Sequence, residues 1–133
     1  YFSKIKNSLK SNGSSAIQGI TISDHLFDRY KSNEDFIQKY IFPGGFLPSI
    51  SQIKNLIKIN NLDLIKINTY SNDYAKTLSI WKKNFINSWD KIAPLGFDNS
   101  FKRMWEFYLS YCEAGFKSKN INLIQFSMFN KEI

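Results

Sequence analysis

The stretch Ser14 to Ile22 limits the fold most. It reads as a nearly continuous apolar strand, with Ala16, Gln18, Ile20 and Ile22 on one face and Ile17, Gly19 and Thr21 on the other. A strand apolar on both faces needs a covering layer on each side, the pattern of a parallel sheet between helices. Ahead of it Phe2, Ile5 and Leu9 recur at helical spacing, and Ser11-Asn12-Gly13 makes a polar stop with Gly in the usual C-terminal place. Helix, tight stop and buried strand in that order point to an α/β fold.

The remaining chain supplies more such units. Ser23 to Glu34 is polar and irregular, with Phe27 and Tyr30 as isolated anchors. Ser49 can cap a helix carrying Ile53, Leu56 and Ile57, which Asn60-Asn61 breaks. Leu62 to Tyr70 alternates as a strand. A long helix is expected from Asn72 to about Ala93, with Tyr74, Leu78, Trp81, Phe85 and Trp89 as a stripe, which by spacing alone is ordinary core. After Pro94-Leu95-Gly96, Asp98 or Ser100 can cap a helix reaching Phe116, with Phe101, Met104, Trp105, Tyr108, Leu109 and Cys112 inward. Asn120 to Asn130 closes the chain as a strand rich in Ile and Phe.

Asp35 to Ser49 is the least ordinary segment. A short helical pattern runs into Pro43-Gly44-Gly45, and a second proline, Pro48, stiffens the end of the loop. Tyr40, Ile41, Phe42, Phe46 and Leu47 surround that turn. Two readings fit: a loop packed down on the core, or one wall of an apolar pocket.

Composition narrows the function classes. With 133 residues, 43% hydrophobic and 17% aromatic, the chain is one domain at most, with a core built largely from rings. The net charge of +7 suggests an anionic partner. Its lysines are scattered and form no nucleic-acid motif, so nucleic acid is not expected and an anionic membrane surface is. The single cysteine, Cys112, and single histidine, His25, have no ligand cluster around them, so no metal is expected. A cytoplasmic setting fits the lone thiol. Nothing resembles a signal peptide or a membrane span.

The segment Asp35-Phe36-Ile37-Gln38-Lys39-Tyr40-Ile41-Phe42-Pro43-Gly44-Gly45, continued by Leu47-Pro48-Ser49, resembles the most characteristic stretch of the cyclopropane-fatty-acyl-phospholipid synthases and mycolic acid cyclopropane synthases. The resemblance continues in Tyr74-Ala75-Lys76-Thr77-Leu78 with Trp81, in Arg103-Met104-Trp105-Glu106, and from Tyr108 to Phe116. It covers nearly the whole chain in order. The implied fold is the C-terminal half of a Rossmann-like class I methyltransferase sheet, its last strand antiparallel and inserted between the two before it. Glycines 13, 19, 44, 45, 96 and 115 never reach a G-x-G spacing. The half that binds S-adenosylmethionine is therefore expected upstream of Tyr1, where the chain opens without Met.

The resemblance implies methylenation of unsaturated phospholipid acyl chains. An alkene takes the cofactor's methyl group, becomes a carbocation, and loses a proton to bicarbonate as the ring closes. It places Gln18, Ile20 and Tyr74 at the bicarbonate site, Gln18 through its side chain and Ile20 through its backbone. Many members have His at the Gln18 position, and Gln can donate to an anion but carries no charge. From the residues alone, Gln18 is equally a buried amide with a structural hydrogen bond. The acyl chain is assigned to Tyr40, Phe42, Pro43, Gly44, Gly45, Leu47 and Trp81. Peripheral membrane association and a homodimer are further expectations. Competing readings are methyl transfer without ring closure, methyl transfer to another acceptor such as an amine, and a catalytically silent basic module binding membrane or RNA.

Overall fold

The computed structural model describes residues 1–130. Its centre is a three-stranded sheet of β1 (Ser14–Ile22), β2 (Asp63–Thr69) and β3 (Ile121–Phe129), in the spatial order β1-β3-β2. β3 is antiparallel to both neighbours, which makes β1 and β2 parallel to each other. The expected insertion of the last strand between the two before it is therefore present.

The register places Ile17, Phe126 and Ile67 side by side on one face. On that face α1 (Phe2–Ser8) and α4 (Ile50–Ile59) cover Ile124, Phe126 and Met128, with Ile53 and Ile57 packed against them. The apolar spacing of Phe2, Ile5 and Leu9 explains why α1 lies there. Ser49 caps α4 as expected, its hydroxyl accepting from the Gln52 amide at 3.3 Å. Leu56, expected on the buried stripe, points outward instead, 38% exposed.

Ile20 and Leu123 face the other way, toward α5 (Ser71–Asn87) and α7 (Asn99–Lys117). Ala75, Leu78, Leu109 and Phe116 form the buried centre of this second layer. Asp98 caps α7, accepting from the Phe101 amide at 2.8 Å. The long helix is shorter than its periodicity predicts. It stops at Asn87, Ser88 leaves helical geometry (φ −99°, ψ 4°), and a short α6 (Trp89–Ile92) follows before the turn at Pro94. The buried face runs through Ser71, Ala75 and Leu78, so Trp81 sits at its edge, 49% exposed. Ser23 to Glu34, read as irregular, contains a 3-10 turn (Asp24–Leu26) and α2 (Phe27–Ser32). Among the described residues no helix is long and apolar enough to cross a membrane.

Candidate functional site

Parallel strands in such sheets carry ligands at their C-terminal ends, and some of the residues singled out above stand there. α5 starts one residue after β2 ends, so Tyr74 stands at that rim in its first turn. The loop from α3 (Phe36–Tyr40) to α4 reaches the same rim, where the Ile22 amide donates to the Pro48 carbonyl at 3.1 Å.

The loop is held by its own chemistry. Asp35 and Gln38 cap α3 reciprocally, side chain to backbone in both directions. Phe42 to Gly45 is a tight turn closed by the Gly45 amide on the Phe42 carbonyl (2.8 Å), with Pro43 next and Gly44 at φ +79°. A proline then a positive-φ glycine is what a type II turn requires. Gly45 has its own reason: a Cβ there would lie 2.9 Å from the Phe42 carbonyl oxygen. The Gln38 side chain donates to the Gly45 carbonyl (3.1 Å), and the Leu47 amide donates to the Tyr30 hydroxyl (3.1 Å).

This loop does not form one continuous wall. Its aromatics separate onto three neighbours. Phe46 packs on Phe27 and Tyr30, and Tyr40 packs on Phe36. Phe42 alone turns to α7, meeting Tyr108 edge to face at 6.4 Å. Leu47 stays with the Tyr30 contact, while Pro43 and Gly44 lie exposed at the turn. Of the residues assigned to an acyl chain, Phe42 and Trp81 thus each meet a tyrosine of one buried cluster, Tyr108 and Tyr74, and Tyr40 and Leu47 do not.

Both tyrosines pack against that cluster. Tyr74 meets Phe116 edge to face at 4.8 Å and Trp81 at 6.1 Å. Tyr108 packs against the same buried cluster, with Trp105 4.9 Å away. Burial raises the Tyr108 phenol above its usual range, and Cys112 and Tyr74 add to that shift. Cys112 sits one turn on, its thiol pushed up to about 11, first by burial and then by the Asp35 carboxylate, although the Tyr108 hydroxyl donates to it. Tyr108 and Cys112 were visible in the sequence only as core positions. Their spacing of four puts both on the side of α7 that packs on α5, and that pairing of helices could not be read from the sequence.

A pKa near 11 has a direct consequence. Thiol reagents attack the thiolate, so Cys112 should alkylate at pH 8 on the order of a hundredfold more slowly than a free cysteine. Its rate should keep rising as pH passes 10. A mass-spectrometric time course checks this, and unhindered labelling at pH 8 would contradict the burial described.

The anion-site residues fall into two groups. Ile20 and Tyr74 pack against the same cluster. The Tyr74 hydroxyl makes no hydrogen bond to any described residue, so it is free to donate. Ile20 offers backbone as well. Antiparallel residues alternate between bonding the partner strand and facing away from it. The Ser23 amide bonds Asn120 on the β3 side, while the Ile22 amide bonds Pro48 on the outer edge. By that alternation Ile20 presents its N–H and carbonyl to the outer edge too. Gln18 corrects the sequence reading, because its amide is exposed and not buried. It does have a partner: Gln125 Nε2 donates to Gln18 Oε1 at 2.9 Å, which leaves the Gln18 N–H groups able to donate elsewhere. His25 is exposed, as a polar loop predicts.

These residues do not fit a nucleoside cofactor. Gly44 and Gly45 are committed to the turn. Asp24, the carboxylate just past β1, accepts from the Ser51 amide (3.1 Å) and from the Ser49 hydroxyl, which holds it below its usual pKa. Among the described residues no group of His, Cys, Asp and Glu could hold a metal.

Comparison with known proteins agrees with this fold. The family model described as mycolic acid cyclopropane synthetase matches residues 1–126. Tuberculostearic acid methyltransferase UfaA1 of Mycobacterium tuberculosis is 37% identical over 132 residues, 98% of this chain and 31% of its own length. Cyclopropane-fatty-acyl-phospholipid synthase of Escherichia coli is 32% identical over 125 residues, 94% of this chain and again 31% of its own. The chain thus spans about a third of the length of these relatives. Among solved structures, the cyclopropane synthase MmaA2 of M. tuberculosis superposes with a TM-score of 0.85 at 20% identity, over 96% of this chain and 48% of that one. The mycolic acid cyclopropane synthase CmaA1, complexed with SAH and CTAB, gives 0.84 at 24% identity over the same shares.

Proposed function

The chain belongs to the mycolic acid cyclopropane synthetase family, and from that premise we propose that it forms part of an S-adenosylmethionine-dependent enzyme that methylenates unsaturated acyl chains of membrane phospholipids. The residues that hold the cofactor lie outside this chain in that reading, and when bound the cofactor supplies an electrophilic methyl group. This chain supplies the acyl slot and the donors for a bicarbonate ion.

One observation carries the reading. At the ligand end of the strands Tyr74, whose hydroxyl has no hydrogen-bond partner among the described residues, packs with Phe116 and Trp81 on the same buried cluster as Tyr108, which meets Phe42. Rings around an alkene exclude water from the positive charge that develops there, and their faces stabilise it. Tyr74, the Ile20 backbone and the Gln18 amide would hold the anion that takes the proton. A member of the family that only adds a methyl branch would need the same slot, and UfaA1, named a methyltransferase, is similar over nearly all of this chain. Gln18 bears on that choice, since a neutral amide holds an anion less firmly than a cation would.

The test uses the full-length protein, labelled cofactor and phosphatidylglycerol with either oleoyl or saturated chains. Label should enter the oleoyl lipid alone, and chromatography of the product separates ring from branch. Transfer to an amine, or none to lipid, contradicts the reading. Phe42→Ala gives a second check. Phe42 is 56% exposed, so its loss should change stability by only about 0.5 kcal/mol, while lipid KM rises and cofactor affinity holds. A variant that melts many degrees lower would return the residue to a packing role.

A further inference from the structure

On the solvent side of these rings, α3, α5 and α7 frame an open groove of about 860 Å³. Phe36, Tyr40, Met104 and Phe107 make its apolar wall, with Phe36 meeting Phe107 edge to face at 4.7 Å. Tyr40 and Phe107 are 56% and 51% exposed. Large rings left open side by side are a contact surface more often than an accident.

The groove is also cationic. Lys82 and Arg103 line it, and neither side chain makes an ion pair or a hydrogen bond with any described residue. Lys39 adds a third positive charge at the rim, 5.3 Å over the Tyr40 ring. Glu106 is the one carboxylate lining the groove, so the cations outnumber it. Rings at the boundary of water and apolar matter, flanked by long cationic side chains, suit the headgroup zone of a bilayer. The position agrees. Phe107 faces the groove and its neighbour Tyr108 faces Phe42, which puts groove and acyl slot side by side on α7.

We propose that this groove docks the headgroup of an anionic phospholipid at the bilayer surface, with the Arg103 guanidinium and the Lys82 ammonium on its phosphate. Arg offers a planar fork to two phosphate oxygens and Lys a point charge. The proposal rests on the acyl-lipid reading above and adds the place where the lipid's head is taken.

The experiment measures partition of the full-length protein onto vesicles of dimyristoyl phosphatidylglycerol or dimyristoyl phosphatidylcholine. Both lipids are saturated, so binding is read without any transfer, and a failure here is distinct from a failure of the catalytic reading. Wild type should prefer phosphatidylglycerol. Lys82→Gln with Arg103→Gln should weaken that binding by roughly ten- to thirtyfold. Lys4→Gln with Lys10→Gln, two exposed lysines at the helix on the opposite face of the sheet, should change it less than about threefold. Unchanged binding in the first double variant, equal losses in both, or no preference between the two lipids overturns the proposal.

Discussion

Tyr74→Phe in the full-length enzyme is expected to lower turnover by roughly tenfold to a few hundredfold, since a hydrogen bond to a charged group is worth about 1.5–3 kcal/mol. The ring stays, and so do its edge contacts to Phe116 at 4.8 Å and Trp81 at 6.1 Å. Thermal stability should therefore hold. Added bicarbonate should restore part of the rate if weaker anion binding is the cause. Wild-type turnover at low bicarbonate would make Tyr74 a packing residue and nothing more. Gln18→Ala tests the proposed anion site from the strand, and because Gln18 is exposed its removal should leave the melt in place. Gln18→His tests whether a side chain that can carry charge holds the ion better.

Phe116→Ala should have the largest effect on stability. Phe116 is 1% exposed at the centre of the layer between the sheet and helices α5 and α7. Emptying such a site costs about 3–5 kcal/mol, against a typical domain stability of roughly 5–15 kcal/mol. Denaturation should show a midpoint far below wild type, and activity should fall with it as Tyr74 loses its nearest ring. A midpoint close to wild type would mean that this layer is not the support of Tyr74. Phe116→Leu, which keeps most of the volume, should fall between.

Elements with a strong local signal were legible in the sequence. β1 was readable to its ends, because the glycine stop before it and the apolar alternation within it are local. The cap at Ser49 was readable for the same reason, a short side chain just ahead of an apolar period, and the cap of α7 was narrowed to Asp98 or Ser100, of which Asp98 is the one used. The crossing of β3 between β1 and β2 came through the family resemblance, and no local signal carries it. What stayed hidden depends on which neighbour a side chain finds. Gln18 looked buried because its strand is apolar, but its row pairs with Gln125 and not with a helix. Five large side chains around Pro43 allowed two readings, a loop packed on the core or one wall of a pocket. The positive φ of Gly44 and the Tyr30 bond at Leu47 instead send them to different partners. The aromatic stripe of α5 continues through Trp89 by spacing, but the backbone breaks at Ser88.

The slot itself can be tested by photolabelling. An oleoyl phosphatidylglycerol carrying a diazirine near its double bond is bound to the full-length enzyme, irradiated, and the adducts are mapped by mass spectrometry. Adducts are expected on Phe42, Trp81 and Tyr108, suppressed by excess unlabelled oleoyl lipid. Competable adducts confined to other segments, while the enzyme still methylates that lipid, would contradict an acyl slot built from these rings.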